Sequence, residues 1–161
     1  MPGLIDNLIE KIEIQDSIYK EIIELLLEKK QIIINNDIQA LREIVDKENS
    51  TTARALKVEK DRESIMKNIS IVLNKAQEEL TFDFLIDSLE GKQGQNELRK
   101  IVFEIRKTSK KMKEINDSVK KLIENALEYI DYSINAIHTS NAINQNNQDY
   151  IDSSSFLDIN G

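Results

Sequence analysis

The chain has 161 residues, of which 32% are charged and 5% aromatic, and its formal net charge is −7. It holds no cysteine and one histidine. That excludes disulfides, thiolate metal sites and thiol nucleophiles, and leaves little to catalyse with. The negative balance argues against nucleic acid or an anionic membrane as the main partner. The longest apolar runs, Leu25-Leu26-Leu27 and Ile32-Ile33-Ile34, are far shorter than the roughly 20 apolar residues of a spanning helix, so no direct membrane insertion is expected.

Four glycines and one proline, Pro2, leave few places where a helix must stop. The chain therefore reads as all-α. A first helix is expected from about Leu4 to Ile34. Leu4, Leu8, Ile12, Ile18, Ile22, Leu26 and Ile33 recur near the helical period. Ile5, Ile9, Ile14, Ile23, Leu27 and Ile34 widen that stripe enough to touch more than one neighbour. Asn35-Asn36-Asp37 ends the helix, and Asp37 is placed to cap the next.

The second helix is expected from Ile38 to about Glu79. Its seam turns polar at Glu48, Thr52, Glu59 and Arg62. Such layers fix register in a coiled coil, or mark a stretch with no helix over it. Thr81 can cap a short helix from Phe82 to Glu90, which Gly91 ends. The loop Gly91-Lys92-Gln93-Gly94-Gln95-Asn96 leads into a third long helix, expected from about Glu97 to Ser140. Nine Lys or Arg face three acids between Leu98 and Lys121, and no Lys or Arg occurs from Leu122 to Gly161. The tail from Asn141, rich in Asn, Gln, Ser and Asp, is expected to be disordered when free. The expected organisation is an elongated antiparallel helical hairpin or bundle of three long helices, with one short helix in the second connection. It spans residues 1–140, and 141–161 form the polar tail.

Enzyme-like readings fail on residue count. A di-iron bundle needs a Glu-x-x-His motif on each of two helices, and the chain has only His138. His138 also meets the first requirement of a phosphotransfer bundle, but Thr139, Ser140, Asn141 and Ala142 supply no cation beside it. Glu78-Glu79 fits a solvated helix face better than an acid–base pair. No glycine loop matches a phosphate cradle. The basic run Arg99-Lys100, Arg106-Lys107, Lys110-Lys111 and Lys113 reads as a solvated face paired with the acidic second helix. No enzyme activity, cofactor, metal or nucleic-acid partner is expected.

The stretch Leu122 to Ile137 is more pointed. Leu122, Ile123, Ala126, Leu127, Tyr129, Ile130, Tyr132, Ile134 and Ile137 cover well over half the circumference of a helix. Either two neighbouring helices bury them, or one face packs inward and another receives a guest through anchors spaced i, i+3, i+4, i+7. The residues alone leave both open. A self-associating structural or regulatory coiled-coil adaptor is the alternative function, and a homodimer is one way to hide such a surface.

Several segments carry a family resemblance. Leu80-Thr81-Phe82-Asp83-Phe84-Leu85-Ile86-Asp87-Ser88-Leu89 resembles the "LTLSELIELL" segment of the FlgN flagellar export chaperones. Asn36-Asp37-Ile38-Gln39-Ala40-Leu41 resembles the family's "GDLEAL" helix start, and Leu56, Glu59 and Arg62 its "LExxR" stretch. The run from Ile115 and Asn116 through Val119 to Leu122-Ile123-Glu124-Asn125-Ala126-Leu127-Glu128-Tyr129-Ile130 resembles "LNxxNxxLLxxSLEFL". Phe156-Leu157-Asp158-Ile159-Asn160-Gly161 is loosely similar to a terminal "YDARG" element but lacks its basic residue, and Gly91 stands where the family often has proline. The order of these segments spans nearly the whole chain. The resemblance implies a type III export chaperone for the hook–filament junction proteins FlgK and FlgL that docks to the export gate protein FlhA. Carried onto this sequence, it implies client binding at Leu122, Ile123, Ala126, Leu127, Ile130, Ile134 and Ile137, and gate docking through Tyr129 or Tyr132. A cytoplasmic location is expected from the lack of cysteine and of a basic n-region in Met1–Asp6.

Overall fold

A computed structural model describes residues 1–151, with side chains through residue 144. Among these residues there is no strand. The elements are α1 (Pro2–Ile34), α2 (Ile38–Val72), a 3₁₀ turn (Gln77–Glu79), α3 (Phe82–Ser88) and α4 (Gln95–Ile151). The chain forms two compact units, Met1–Val119 and a second that begins at Lys120.

In the first unit, α1 and α2 form an antiparallel hairpin. The ion pairs record the direction: Lys11 meets Asp61 at 3.4 Å, Glu21 meets Arg54 at 2.9 Å and Lys29 meets Glu48 at 3.0 Å. As numbering rises along α1 it falls along α2. The turn between them is closed by backbone bonds from Asn36 N to Ile33 O and from Asp37 N to Ile32 O, with Asn36 at φ +55°. That pair of bonds is a Schellman stop with asparagine in the left-handed position. Asp37 then accepts a hydrogen bond from Ala40 N at 3.1 Å and caps α2, as its sequence position predicts.

The same stop recurs at the other end of α2 and shortens it. The expected helix to Glu79 ends at Val72. Asn74 takes φ +52°, with bonds from Asn74 N to Ile71 O and from Lys75 N to Ser70 O. Thr81 caps α3 by accepting from Phe84 N at 3.1 Å, but α3 ends at Ser88 instead of Glu90. Gln95 ties the next loop: its Oε1 accepts from Gly91 N, and its Nε2 donates to Ile86 O. α4 starts at Gln95, two residues earlier than expected.

The core gathers the start of α1, the end of α2, α3 and the start of α4. Ile5, Leu8, Ile12, Ile69, Leu85, Leu98 and Val102 are buried there, together with Leu80, Ile86, Leu89 and Ile105. Each fully buried Leu or Ile contributes about 1.5–3 kcal/mol. The hydroxyls of Thr51, Ser70 and Thr108, also buried, donate to backbone carbonyls one turn earlier, at 2.9, 2.7 and 3.0 Å. Bonding within their own helices satisfies groups that would be costly to leave unpaired.

The basic face of α4 does not pair with α2 as expected. Among the described residues, Asp61 and Glu48 of α2 pair with α1 and Glu59 with Arg62 of α2 itself, and the one ion pair of α4 joins Arg106 to Asp83 of α3 at 3.0 Å. The tight hairpin puts α1 beside α2 first.

α4 continues past the expected end at Ser140 to Ile151. No glycine or proline lies between Gln95 and Ile151, and polar side chains such as Asn and Ser lower helix propensity by only tenths of a kcal/mol each. The rest of the expected tail, with its terminal element Phe156–Gly161, lies outside the described residues.

Candidate functional site

The second unit holds the predicted site. From Lys120 to Asn144 no described side chain is buried. Leu122, Ile123 and Ala126 are half-buried, whereas Leu127, Ile130, Ile134 and Ile137 are exposed. At about 100° per residue, Ala126, Ile137, Ile130, Ile123, Ile134 and Leu127 share an arc of about 100°, and Leu122 lies at its edge. All seven residues predicted for client binding thus belong to one stripe.

One border of the stripe is acidic. Asp131, Glu124 and Glu128 follow Leu127 around the helix within about 60° of arc. The other border, with Ser133, Ser140 and Asn144, is uncharged. Lys120 and Lys121 stand one turn before Glu124, and no lysine or arginine follows them, so Glu128 and Asp131 have no cation within a turn on the C-terminal side.

Tyr132 stands apart from the stripe, and Tyr129 adjoins its Leu122 edge. Tyr129 is 72% exposed and Tyr132 73% exposed. Tyr132 is nearly opposite the stripe's centre, whereas Tyr129 lies beside Leu122. Ile143, also exposed, falls within about 20° of Tyr132 and extends that second face. The sequence reading missed Ile143 because it ended the helix at Ser140. The helical spacing of Tyr129, Tyr132, Ala136 and Ile143 was the available signal. His138 is exposed.

Among the described residues, no group of three or more His, Cys, Asp or Glu side chains is placed to hold a metal ion, and no helix is long and apolar enough to cross a membrane. The segment offers a contact surface: an apolar stripe, a one-sided acidic border and a separate aromatic face.

The model of the FlgN protein family matches residues 1–151 of the chain, which takes in all of the stripe and both tyrosines. The chain belongs to the FlgN family. FlgN proteins are flagellar chaperones. Searches of curated proteins and of solved structures give no match.

Proposed function

We propose that this FlgN protein is a type III export chaperone that holds the hook–filament junction proteins FlgK and FlgL on the stripe from Leu122 to Ile137 and delivers them to the export gate. The observation that carries the reading is the stripe itself: from Lys120 to Asn144 no described side chain is buried, although six apolar residues share one arc of the helix. Full burial of an Ile contributes about 1.5–3 kcal/mol, so each half-exposed anchor still has about 1 kcal/mol to gain from a guest. Ordering a flexible guest segment costs about 2–5 kcal/mol or more. Several anchors together exceed that cost, and no single anchor does.

Gate docking to FlhA is assigned to the separate face, through Tyr129 or Tyr132. With Tyr132 opposite the stripe, a bound client leaves it accessible, whereas Tyr129 borders the stripe at Leu122. The function needs no nucleotide chemistry and is placed in the cytoplasm. A homodimer through the stripe is the competing use of the same surface, and its acidic border disfavours it. The test is co-purification of FlgK or FlgL with the full chain and with a chain cut after Val119. The full chain is expected to retain the client and the shortened chain to lose it; equal retention would overturn the assignment.

A further inference from the structure

The first unit carries a second binding feature that client holding does not use. α1, α2, α3 and α4 enclose an open cavity of about 420 Å³, within the roughly 300–1,000 Å³ typical of ligand pockets. Its floor is apolar, built from Ile12, Phe82 and Ile105. Its polar lining includes Arg62, Arg106, Lys110 and Lys113, and among the described residues no carboxylate lines it. In a chain of net charge −7, that is a local reversal of sign.

Two of the lining groups lack partners. Gln15 is 3% exposed; its Nε2 donates to the Tyr19 hydroxyl at 2.9 Å, while its Oε1 accepts nothing. A buried amide oxygen without a donor is costly, so it marks a place where a donor is wanted. Arg62 lies over the Phe82 ring, 5.5 Å from its centroid, and reaches Glu59 only at 3.9 Å. Its Nε has no acceptor. Arg106 is held by Asp83 at the rim, whereas Lys110 and Lys113 form no ion pair among the described residues.

We infer that this groove is a docking site for an acidic linear peptide of a partner protein, with an apolar side chain next to a carboxylate. Each part of the lining asks for one part of that ligand. Lys110, Lys113 and Arg62 take carboxylates, the floor takes the apolar side chain, and Gln15 Oε1 takes a backbone N–H. Inorganic phosphate or a nucleic-acid backbone would leave both the floor and the Gln15 oxygen unused. Ser109 and Lys113 also line a neighbouring cavity of about 560 Å³ floored by Ile22 and Leu26, where the one carboxylate, Glu48, is paired with Lys29.

The test uses the full chain and a fluorescent hexapeptide of alternating Glu and Leu, with a Lys-Leu hexapeptide as control, read by anisotropy. Saturable binding of the acidic peptide alone is expected. Lys110→Glu with Lys113→Glu is expected to weaken it at least tenfold, with the urea midpoint of the chain unchanged. Gln15→Met is expected to weaken it several-fold, and a Gln15→Glu change more. Equal binding of the two peptides, absence of binding, or full affinity in the charge-reversed variant would overturn the assignment. So would self-association of the chain that the Lys110→Glu and Lys113→Glu changes abolish, which would give the groove to a second copy. None of these readouts depends on the stripe of α4, so the outcome is separable from that of client holding.

Discussion

The stripe makes a quantitative claim about paired truncation of Ile130 and Ile134 to alanine. Ile130 is 50% exposed and Ile134 47%, so about half of each side chain remains to be buried by a client. Taking about 1.5–3 kcal/mol for full burial, each residue has roughly 1 kcal/mol at stake, and the pair about 2 kcal/mol. At 1.4 kcal/mol per tenfold, client affinity is expected to fall about thirtyfold, or about tenfold if the alanine methyls keep part of the contact. Folding is expected to respond differently. Surface substitutions stay within about 0.5 kcal/mol, and alanine is the better helix former. The assay is titration calorimetry with a purified hook–filament junction protein, alongside urea unfolding followed by circular dichroism. The heat-capacity change of binding is expected to become less negative, since less apolar surface is removed from water. Tyr132→Ala, on the opposite face, is the internal control and is expected to leave client affinity unchanged. A loss of less than threefold in the double variant would refute the reasoning, as would a loss that tracks a falling unfolding midpoint.

Two further expectations concern the fold. Gly94 has φ +91°, and a Cβ there would meet Ile5 Cγ2 at 3.0 Å, whereas Gly91 has φ +70° with nothing within 4 Å. Gly94→Ala is expected to cost about 2–4 kcal/mol from strain plus overlap, and Gly91→Ala about 1–2 kcal/mol from strain alone; equal urea midpoints for the two would contradict the contact with Ile5. Lys20 sits 3.0 Å from the buried carboxylate of Asp16; the hydrogen bond, then the charge of Asp16, and more weakly Glu104, raise its pKa above the ordinary 10.5. A raised folded value means this contribution is complete below about pH 10.5 and fades as pH climbs through the folded value, so the native urea midpoint is expected to drop more steeply above pH 10 than that of Lys20→Gln.

Much of this architecture could be read from spacing. The stripe of α1, the Asp37 and Thr81 caps and the short helix at Phe82 all follow from period and cap chemistry. The end of α2 did not, because a single asparagine can either continue a helix or turn left-handed, and nothing local at Leu73-Asn74-Lys75 decides between them. At Asn36 a second asparagine and the capping aspartate made the same choice visible. The end of α4 was misplaced because polar composition was read as a stop, although polar residues lower helix propensity by only tenths of a kcal/mol each. The stripe and the angular separation of the tyrosines were present in the numbering. Its exposure was not, since that depends on what packs against it. The cationic groove was beyond reach of sequence reasoning altogether: Gln15, Arg62, Phe82 and Lys110 lie on four different helices, and only the fold brings them to one cavity.

The charge pattern of α4 bears on which partner the stripe selects. Apolar anchors supply strength but little discrimination, because any amphipathic helix of the right length can cover them. The border formed by Glu124, Glu128 and Asp131 supplies the difference. A second copy laid antiparallel on the stripe would bring an identical acidic border to the same edge of the seam, and like charges on facing helices each oppose association by a few tenths of a kcal/mol. A guest with lysine or arginine beside its apolar face would gain a comparable amount at each site. Summed over three acids, the swing between self-pairing and a basic-edged guest is about 1–3 kcal/mol, roughly ten- to a hundredfold in affinity. Long-range charge also accelerates encounter more than it tightens the bound state, and does so less as salt rises. Replacing the three acids by their amides is therefore expected to slow client association and flatten its salt dependence, with dissociation little altered. An association rate unchanged by that substitution at low salt would separate partner choice from charge and leave shape alone to explain it.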